Sequence, residues 1–357
     1  MKTNKNKTFQ FLMILCLFFF SRLQAQCYLP YIEYNLWGLL DDSLHEVLPP
    51  KYDYIKNYNQ HFWVYRKGLK YGILDSALKE LTPPNFSVIY FIDKQKYLVE
   101  EDQKYVVKYW KDTLSIFLEV DTIHQAFAQW VHVEVNTKQG IMNYQNEWKI
   151  PPIYDEILTN GKDIIVLEDN LYYFMDTTHK KRLSRGFEEA RFFSENLAAV
   201  KEDELFGFID EKGNWVTHKE FLNAQNFQEK LAPVERNHRW GFINAKNELA
   251  IPYMYDYVYP FEKGKAIVQF KGKWGVINPS GKILIPLEYD EICFFEHPLF
   301  LVRHKNLWGI LNEKQEWIIK PEFVDFRKFH CGYWIMFYED KTSVIVNEKG
   351  IKIWRNL

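Results

Sequence analysis

The groups in this 357-residue chain that could do chemistry are ten histidines, four cysteines and a set of Asp and Asn residues at even spacing. Histidine beside a carboxylate or a thiol would serve proton transfer, nucleophilic attack or metal ligation. His45-Glu46 runs into Val-Leu-Pro and cannot supply the second histidine that a zinc-protease helix places four residues on. The remaining histidines (His61, His124, His132, His179, His218, His238, His297, His304 and His330) follow no common register. The chain has no G-x-S-x-G elbow, no phosphate-cradling glycine loop, no EF-hand pattern and no CxxC. Its motifs therefore nominate no catalytic residue, no metal site and no cofactor. Asp41, Asp75, Asn143, Asp176, Asp210, Asn244, Asn278 and Asn312 fit two readings: a ladder of cation sites, or turn initiators that accept backbone N–H groups. Asn replaces Asp freely and removes the charge calcium needs, so the turn reading is expected.

What spaces those residues is an internal repeat. It is marked by Trp37-Gly38, Tyr71-Gly72, Gln139-Gly140, Phe206-Gly207, Trp240-Gly241, Trp274-Gly275 and Trp308-Gly309. The step from Gly38 to Gly72 recurs from Gly207 to Gly241, Gly275 and Gly309, and Tyr105-Val106 stands at the midpoint of the one double step. Tyr172-Tyr173 fills the slot before Phe206, one residue out of phase. Counting from this glycine as the index position, the Asp/Asn column lies three residues on and an aromatic column (Tyr52, Phe86, Tyr154, Phe187, Phe221, Tyr255, Tyr289, Phe323) fourteen residues on. Nine tandem repeats result, and residues 343–347 begin a truncated tenth; the pattern degenerates around 104–137 and 171–186. A period of about 34 residues marks a repeat architecture rather than separate cores.

Each repeat reads as about three short antiparallel strands. Ala266–Phe270 is an apolar run ended by Lys271-Gly272; Trp274–Asn278 is a second, closed by a Pro279-Ser-Gly turn; Ile283–Ile285 is a third, stopped by Pro286. Residues 287–295 then return to the next hairpin. The fold class is all-β. The aromatic column before the index glycine fits core better than a sugar-stacking platform. A second column (Trp148, Trp215, Leu249, Ile283, Trp317) mixes indole with aliphatic side chains, as burial predicts. The Tyr-Asp pairs Tyr52-Asp53, Tyr154-Asp155, Tyr255-Asp256 and Tyr289-Asp290 read as structural.

The motifs Gly272-Lys-Trp-Gly-Val-Ile-Asn278 and Ile285-Pro-Leu-Glu-Tyr-Asp290 resemble the WG-containing repeat family of bacterial proteins. The resemblance covers roughly residues 29–357. It implies β-rich, often exported repeats and carries over no functional residue. An open or superhelical β-array is expected, because ten units exceed the usual four to eight blades of a propeller. The alternative is a β-propeller closed by the strand-like start (Tyr28–Tyr34) and the partial last repeat.

The first 25 residues form a separate unit: Lys2, Lys5 and Lys7, the apolar run Phe11–Phe20, and a small residue at Ala25 are the parts of a signal peptide. Ten apolar residues cannot span a bilayer, and no later run approaches the ~20 needed. Gln26, not a small residue, precedes Cys27, which argues against lipid attachment there. Cleavage would take the net charge from −2 to −6 by removing Lys2, Lys5, Lys7 and Arg22, leaving residues 26–357 as the repeat array, periplasmic or extracellular. In that oxidising setting Cys293 and Cys331 could form a disulfide or remain separate buried thiols. With 45 Lys+Arg against 47 Asp+Glu there is no basic excess for nucleic acid. The expected function is an exported, non-enzymatic scaffold for a protein partner. The alternatives are a carbohydrate-binding module, or an enzyme or inhibitor whose site is assembled across repeats.

Overall fold

A computed structural model describes residues 28–355 except 42, 60–61, 94, 111–113, 177 and 329–331. The leader, Cys27 and Cys331 lie outside the described residues, and with them the cleavage, lipidation and disulfide expectations. Among the described residues there are 37 β-strands and no α-helix. They form ten antiparallel sheets that follow one another in chain order; seven have four strands, and the first, fifth and sixth have three. Strands are lettered A to D along the chain within each sheet. Sheet 8 is the pattern: A, Tyr257–Val258; B, Ala266–Phe270; C, Lys273–Ile277; D, Ile283–Tyr289. The expected three strands are B, C and D. The fourth, A, comes from the stretch read as a return connection, since Glu291–Phe294 opens sheet 9. Sheet 1 has B, C and D (Leu29–Glu33, Leu36–Leu40 and Glu46–Tyr52).

Local chemistry sets each turn. Strands B and C meet through two residues in the left-handed region, such as Tyr34 and Asn35 (φ 50° and 64°) or Lys271 and Gly272 (φ 50° and 74°). This mirror-image turn matches the right-handed twist of the strands it joins. Strands C and D then pair out of step: Trp274 faces Tyr289, yet Val276 faces Ile285, so strand D carries two extra residues around Pro286. A proline without an N–H fits that bulge. Strand D therefore does not stop at Pro286 as expected; it runs through to Tyr289.

The same bulge explains the index glycine. A Cβ on Gly275 would stand 2.6 Å from the carbonyl oxygen of Ile285, and one on Gly241 2.6 Å from that of Ile251. Sheet 3 supplies the control. There Tyr105, Val106 and Val107 face Leu118, Phe117 and Ile116 in unbroken register, and valine occupies the index position.

Both faces of each sheet are buried, which is why strand B reads as an uninterrupted apolar run. Ala266 and Val268 pack against sheet 7, whereas Ile267 between them packs against sheet 9. Every seam between consecutive sheets has such a cluster, and so does the seam between the last and the first. Ile335 and Ile345 of sheet 10 join Trp37, Leu39 and Tyr31 of sheet 1, and Ile55 and Tyr65 of sheet 2, in one core. The ten sheets thus close into a ring, the β-propeller arrangement rather than the open array. The blade-count argument fails because the apolar faces of sheets 1 and 10 are the surfaces an open array would leave in water, and here they cover each other.

Candidate functional site

The residues singled out by type are mostly occupied with holding turns. Asp210 Oδ1 accepts the backbone N–H groups of Lys212 and Asn214 at 2.9 and 2.8 Å. Asn278 Oδ1 does the same for Ser280 and Lys282, at 3.1 and 2.9 Å, and Asn312 for Lys314 and Glu316, both at 2.9 Å. Asn and Asp are interchangeable because each offers the same acceptor, so this column is a row of turn caps. The Asp of the Tyr-Asp pair holds the next sheet in place: Asp256 Oδ2 accepts from Gly272 N at 2.9 Å while Arg239 of sheet 7 pairs with its other oxygen. Asp290 accepts from the Lys273 ammonium at 2.7 Å.

The aromatic before the index glycine lies between sheets. Trp240 meets Tyr257 at 5.6 Å between ring centroids, and Trp308 meets Phe326 at 4.9 Å, each pair crossing to the A strand of the following sheet. Trp37, Phe206, Trp240 and Trp308 are buried; Tyr71, Gln139 and Trp274 are half-buried, and Tyr71 and Trp274 line grooves. The second column departs from expectation at three positions: Trp148 is 41% exposed, and Leu249 and Ile283 are each 49% exposed, at the first residue of strand D, whereas Trp215 and Trp317 are half-buried and pack against core clusters.

Three grooves recur at one place in the repeat, between neighbouring A strands and above the aromatic before the index glycine. The largest, 520 Å³, lies over Trp274 and is bounded by Tyr259, Gln228, Glu291, Cys293 and Arg303. One of 340 Å³ lies over Trp37 at the closing seam, and one of 300 Å³ beside Tyr71. Cations cover several of the aromatic floors: Arg327 sits over Trp37 at 5.6 Å and Arg303 over Trp308 at 5.7 Å. Trp274 instead faces Tyr259, with centroids 5.7 Å apart and planes 31° off parallel.

The side chain sixteen residues before the index position changes from sheet to sheet (Lys56, Tyr90, His124, Arg191, Gln225, Tyr259, Cys293 and Arg327), and Lys56, Tyr259, Cys293 and Arg327 line the three grooves. Sequence reading passed over this column because it holds no fixed residue type; variability inside a constant frame was the available signal. In sheet 4 the frame brings together His124, His132, Glu134 and Gln139. His132 Nε2 lies 2.9 Å from Gln139 Oε1, which also accepts from Ile157 N at 2.7 Å, so the imidazole is the donor. Burial lowers the His132 pKa and the Gln139 hydrogen bond only partly opposes this. His124 reaches Glu134 at 3.2 Å. Among the described residues no group of three His, Cys, Asp or Glu side chains is placed to hold a metal ion. Burial, helped by Glu291, pushes the Cys293 thiol up to about 12, so it is protonated at neutral pH and a poor nucleophile.

The chain that builds this Trp-Gly hairpin and Tyr-Asp clip matches the family model of the WG containing repeat at residues 37–62, 140–172, 174–205, 206–237, 240–274, 274–308 and 308–341, more than half of its length. The chain belongs to this family. No curated protein matches it in sequence. Among solved structures, it is similar to a eukaryotic initiation factor, with TM-score 0.51 and 12% identity over 93% of this chain and 96% of that one. At that identity the likeness concerns the fold alone. Looser matches include BamB from Moraxella catarrhalis (TM-score 0.38, 10% identity, 72% and 92% of the two chains). Another is the extracellular domain of a hybrid two component system from B. thetaiotaomicron (TM-score 0.27, 10% identity, 89% and 54%).

Proposed function

We propose that this WG-repeat propeller is an exported, non-enzymatic scaffold whose grooves hold a protein partner. The observation that carries the reading is that the grooves present different side chains at one repeat position, Lys56, Tyr259, Cys293 and Arg327, in a frame that barely changes. A polymer of identical units calls for identical subsites, whereas a protein surface presents different chemistry at each step and calls for different ones. The reactive groups support the non-enzymatic part: the Asp/Asn column is occupied by backbone N–H groups, and the Cys293 thiol is held protonated. Export rests on the lysine start, apolar run and Ala25 exit of the first 25 residues.

A carbohydrate-binding reading draws on one groove, where the half-buried Trp274 and the exposed Tyr259 stand beside Glu291, Asp290 and Gln228, with no cation over the indole among the described residues. The test is to recover the tagged protein from the envelope of the cells that make it. The expected result is a chain beginning near Gln26 with one protein partner in stoichiometric amount. A chain that keeps Met1 and stays in the cytoplasm overturns export. An empty recovery, with tryptophan fluorescence that saturates on an oligosaccharide, overturns the protein-partner reading in favour of the glycan.

A further inference from the structure

Three sheets set a cation on strand B directly opposite the first residue of strand A: Arg66 in sheet 2, Lys201 in sheet 6 and Arg303 in sheet 9. In two of them the opposite residue is the counter-ion. Glu189 meets Lys201 at 3.1 Å, and Glu291 meets Arg303 at 3.2 Å. In sheet 2 that place is held by Tyr54, which offers no charge. A second pairing is missing from the same sheet. In sheet 4, His124 reaches Glu134 at 3.2 Å, from the strand-A place of Lys56 to the strand-B place of Arg66. Where sheet 4 has a histidine and a carboxylate, sheet 2 has two cations.

Both cations line the 300 Å³ groove beside Tyr71, together with Tyr54 and Ile89, and the lining includes no carboxylate. Among the described residues neither Lys56 nor Arg66 has an ion pair or a side-chain hydrogen bond, and the Arg66 Nε is buried without a partner. Burial raises the Tyr54 pKa and Tyr71 adds to the rise, while Arg327 and Arg66 oppose it, so positive potential reaches the hydroxyl. Two like charges on one groove wall repel, and a single carboxylate between them relieves both. With a formal net charge of −2, the chain as a whole gives an acidic ligand no general attraction, so any preference must come from the groove.

We propose that this groove takes a glutamate side chain of the partner protein, whose carboxylate meets Arg66 and Lys56 where the ring omits its own. The inference rests on the protein-partner reading and names the chemistry the partner brings to one groove. Sheets 6 and 9 favour a carboxylate over other anions, because a glutamate already fills this place there. Tyr54, Tyr71 and Ile89 give the methylene stem an apolar wall, and the two cations fix its end.

The test is calorimetry on the protein made by its own cells, with hexaglutamate as the probe and inorganic phosphate as the small-anion comparison. Hexaglutamate is expected to saturate one site and to bind more tightly than phosphate. Lys56→Glu, at an exposed position, and Tyr54→Glu, which copies the arrangement of Glu291 and Arg303, each place a carboxylate beside Arg66. Either should weaken hexaglutamate binding at least tenfold. Tyr54 also packs edge-on against Trp37, so Lys56→Glu decides the matter if Tyr54→Glu fails to fold. Absence of saturable binding, phosphate binding as tight as hexaglutamate, or full-strength hexaglutamate binding by Lys56→Glu overturns the inference. A recovered partner that binds wild type and Lys56→Glu with equal affinity also overturns it, and leaves the protein-partner reading intact. Hexaglutamate binding that Lys56→Glu abolishes, with no partner recovered from the envelope, upholds the carboxylate site and sinks the protein-partner reading instead.

Discussion

Replacing Gly241 by alanine tests the reason given for the glycine of the Trp-Gly pair. The added methyl would stand 2.6 Å from the carbonyl oxygen of Ile251, and 3.0 Å from backbone atoms of Pro252 and Tyr253. Ordinary contact begins at 3.4 Å, so strand D would have to move by about 0.8 Å. It is held on both sides of the bulge by the pairings of Trp240 with Tyr255 and Phe242 with Ile251. Overpacking of this kind costs about 2–3 kcal/mol when no side chain can yield. With an unfolding entropy of roughly 2.1 cal/mol/K per residue, that lowers Tm by about 3–4 °C. Denaturant titration with tryptophan fluorescence would read the same loss from the midpoint. Two controls sharpen it. Gly272→Ala has no heavy atom within 4 Å and strains only the backbone (φ 74°), so about 1–2 kcal/mol is expected. Val106→Gly, in the sheet without the bulge, removes a side chain that is 2% exposed and should destabilise. A Gly241→Ala protein within about 0.5 kcal/mol of wild type, or a Val106→Gly protein more stable than wild type, would refute the reasoning.

Three further outcomes are expected. Trp308→Ala, at 7% exposure and in contact with Phe326, should cost about 3–5 kcal/mol, whereas Trp148→Ala, 41% exposed, should stay under about 1 kcal/mol; equal losses in denaturant titration would contradict the assignment of the two columns. Asp210 is held below the usual carboxylate range by the Asn214 side-chain amide first, then by the backbone N–H groups of Asn214 and Lys212. A depressed native pKa contributes stability that is complete above the unfolded value of about 3.9 and is lost as pH falls through the native one. Asp210→Asn should therefore keep the turn and flatten the acid limb of stability below about pH 4, and an unchanged limb would count against it. Cys293, half-buried on the groove wall with its thiol pushed up to about 12, should react slowly with a disulfide reagent at pH 8 until the protein is unfolded; labelling at the rate of a free thiol in the native state would contradict the raised pKa.

Much of the frame was legible in the sequence because repetition wrote it many times. The turn caps at Asp210 and Asn278, the hairpin at Lys271-Gly272 and the clip at Asp256 could be read from residue type and phase. Closure was not, because it depends on Trp37 and Ile335, from opposite ends of the chain, meeting face to face, and no local pattern encodes that. The A strand was hidden because it is only two residues long in sheets 6, 7 and 8. The second aromatic column misled at Trp148, Leu249 and Ile283, though not at Trp215 and Trp317, because alternation of indole with aliphatic chains looks the same in a core and at an exposed strand end. The grooves could not be seen from any one repeat, since each is built by side chains of neighbouring sheets.

The measurement that bears most directly on the closed ring is small-angle X-ray scattering of residues 26–357. A compact chain of this length has a radius of gyration of about 20 Å. Ten sheets stacked about 10 Å apart in an open array would extend roughly 100 Å, with a radius of gyration of about 30 Å. The closed propeller requires a value of about 20–22 Å and a pair-distance distribution that falls to zero well short of roughly 100 Å. A radius of gyration at the open-array value, with an extended tail in the distribution, would mean that sheets 1 and 10 do not meet, and the seam groove would go with them.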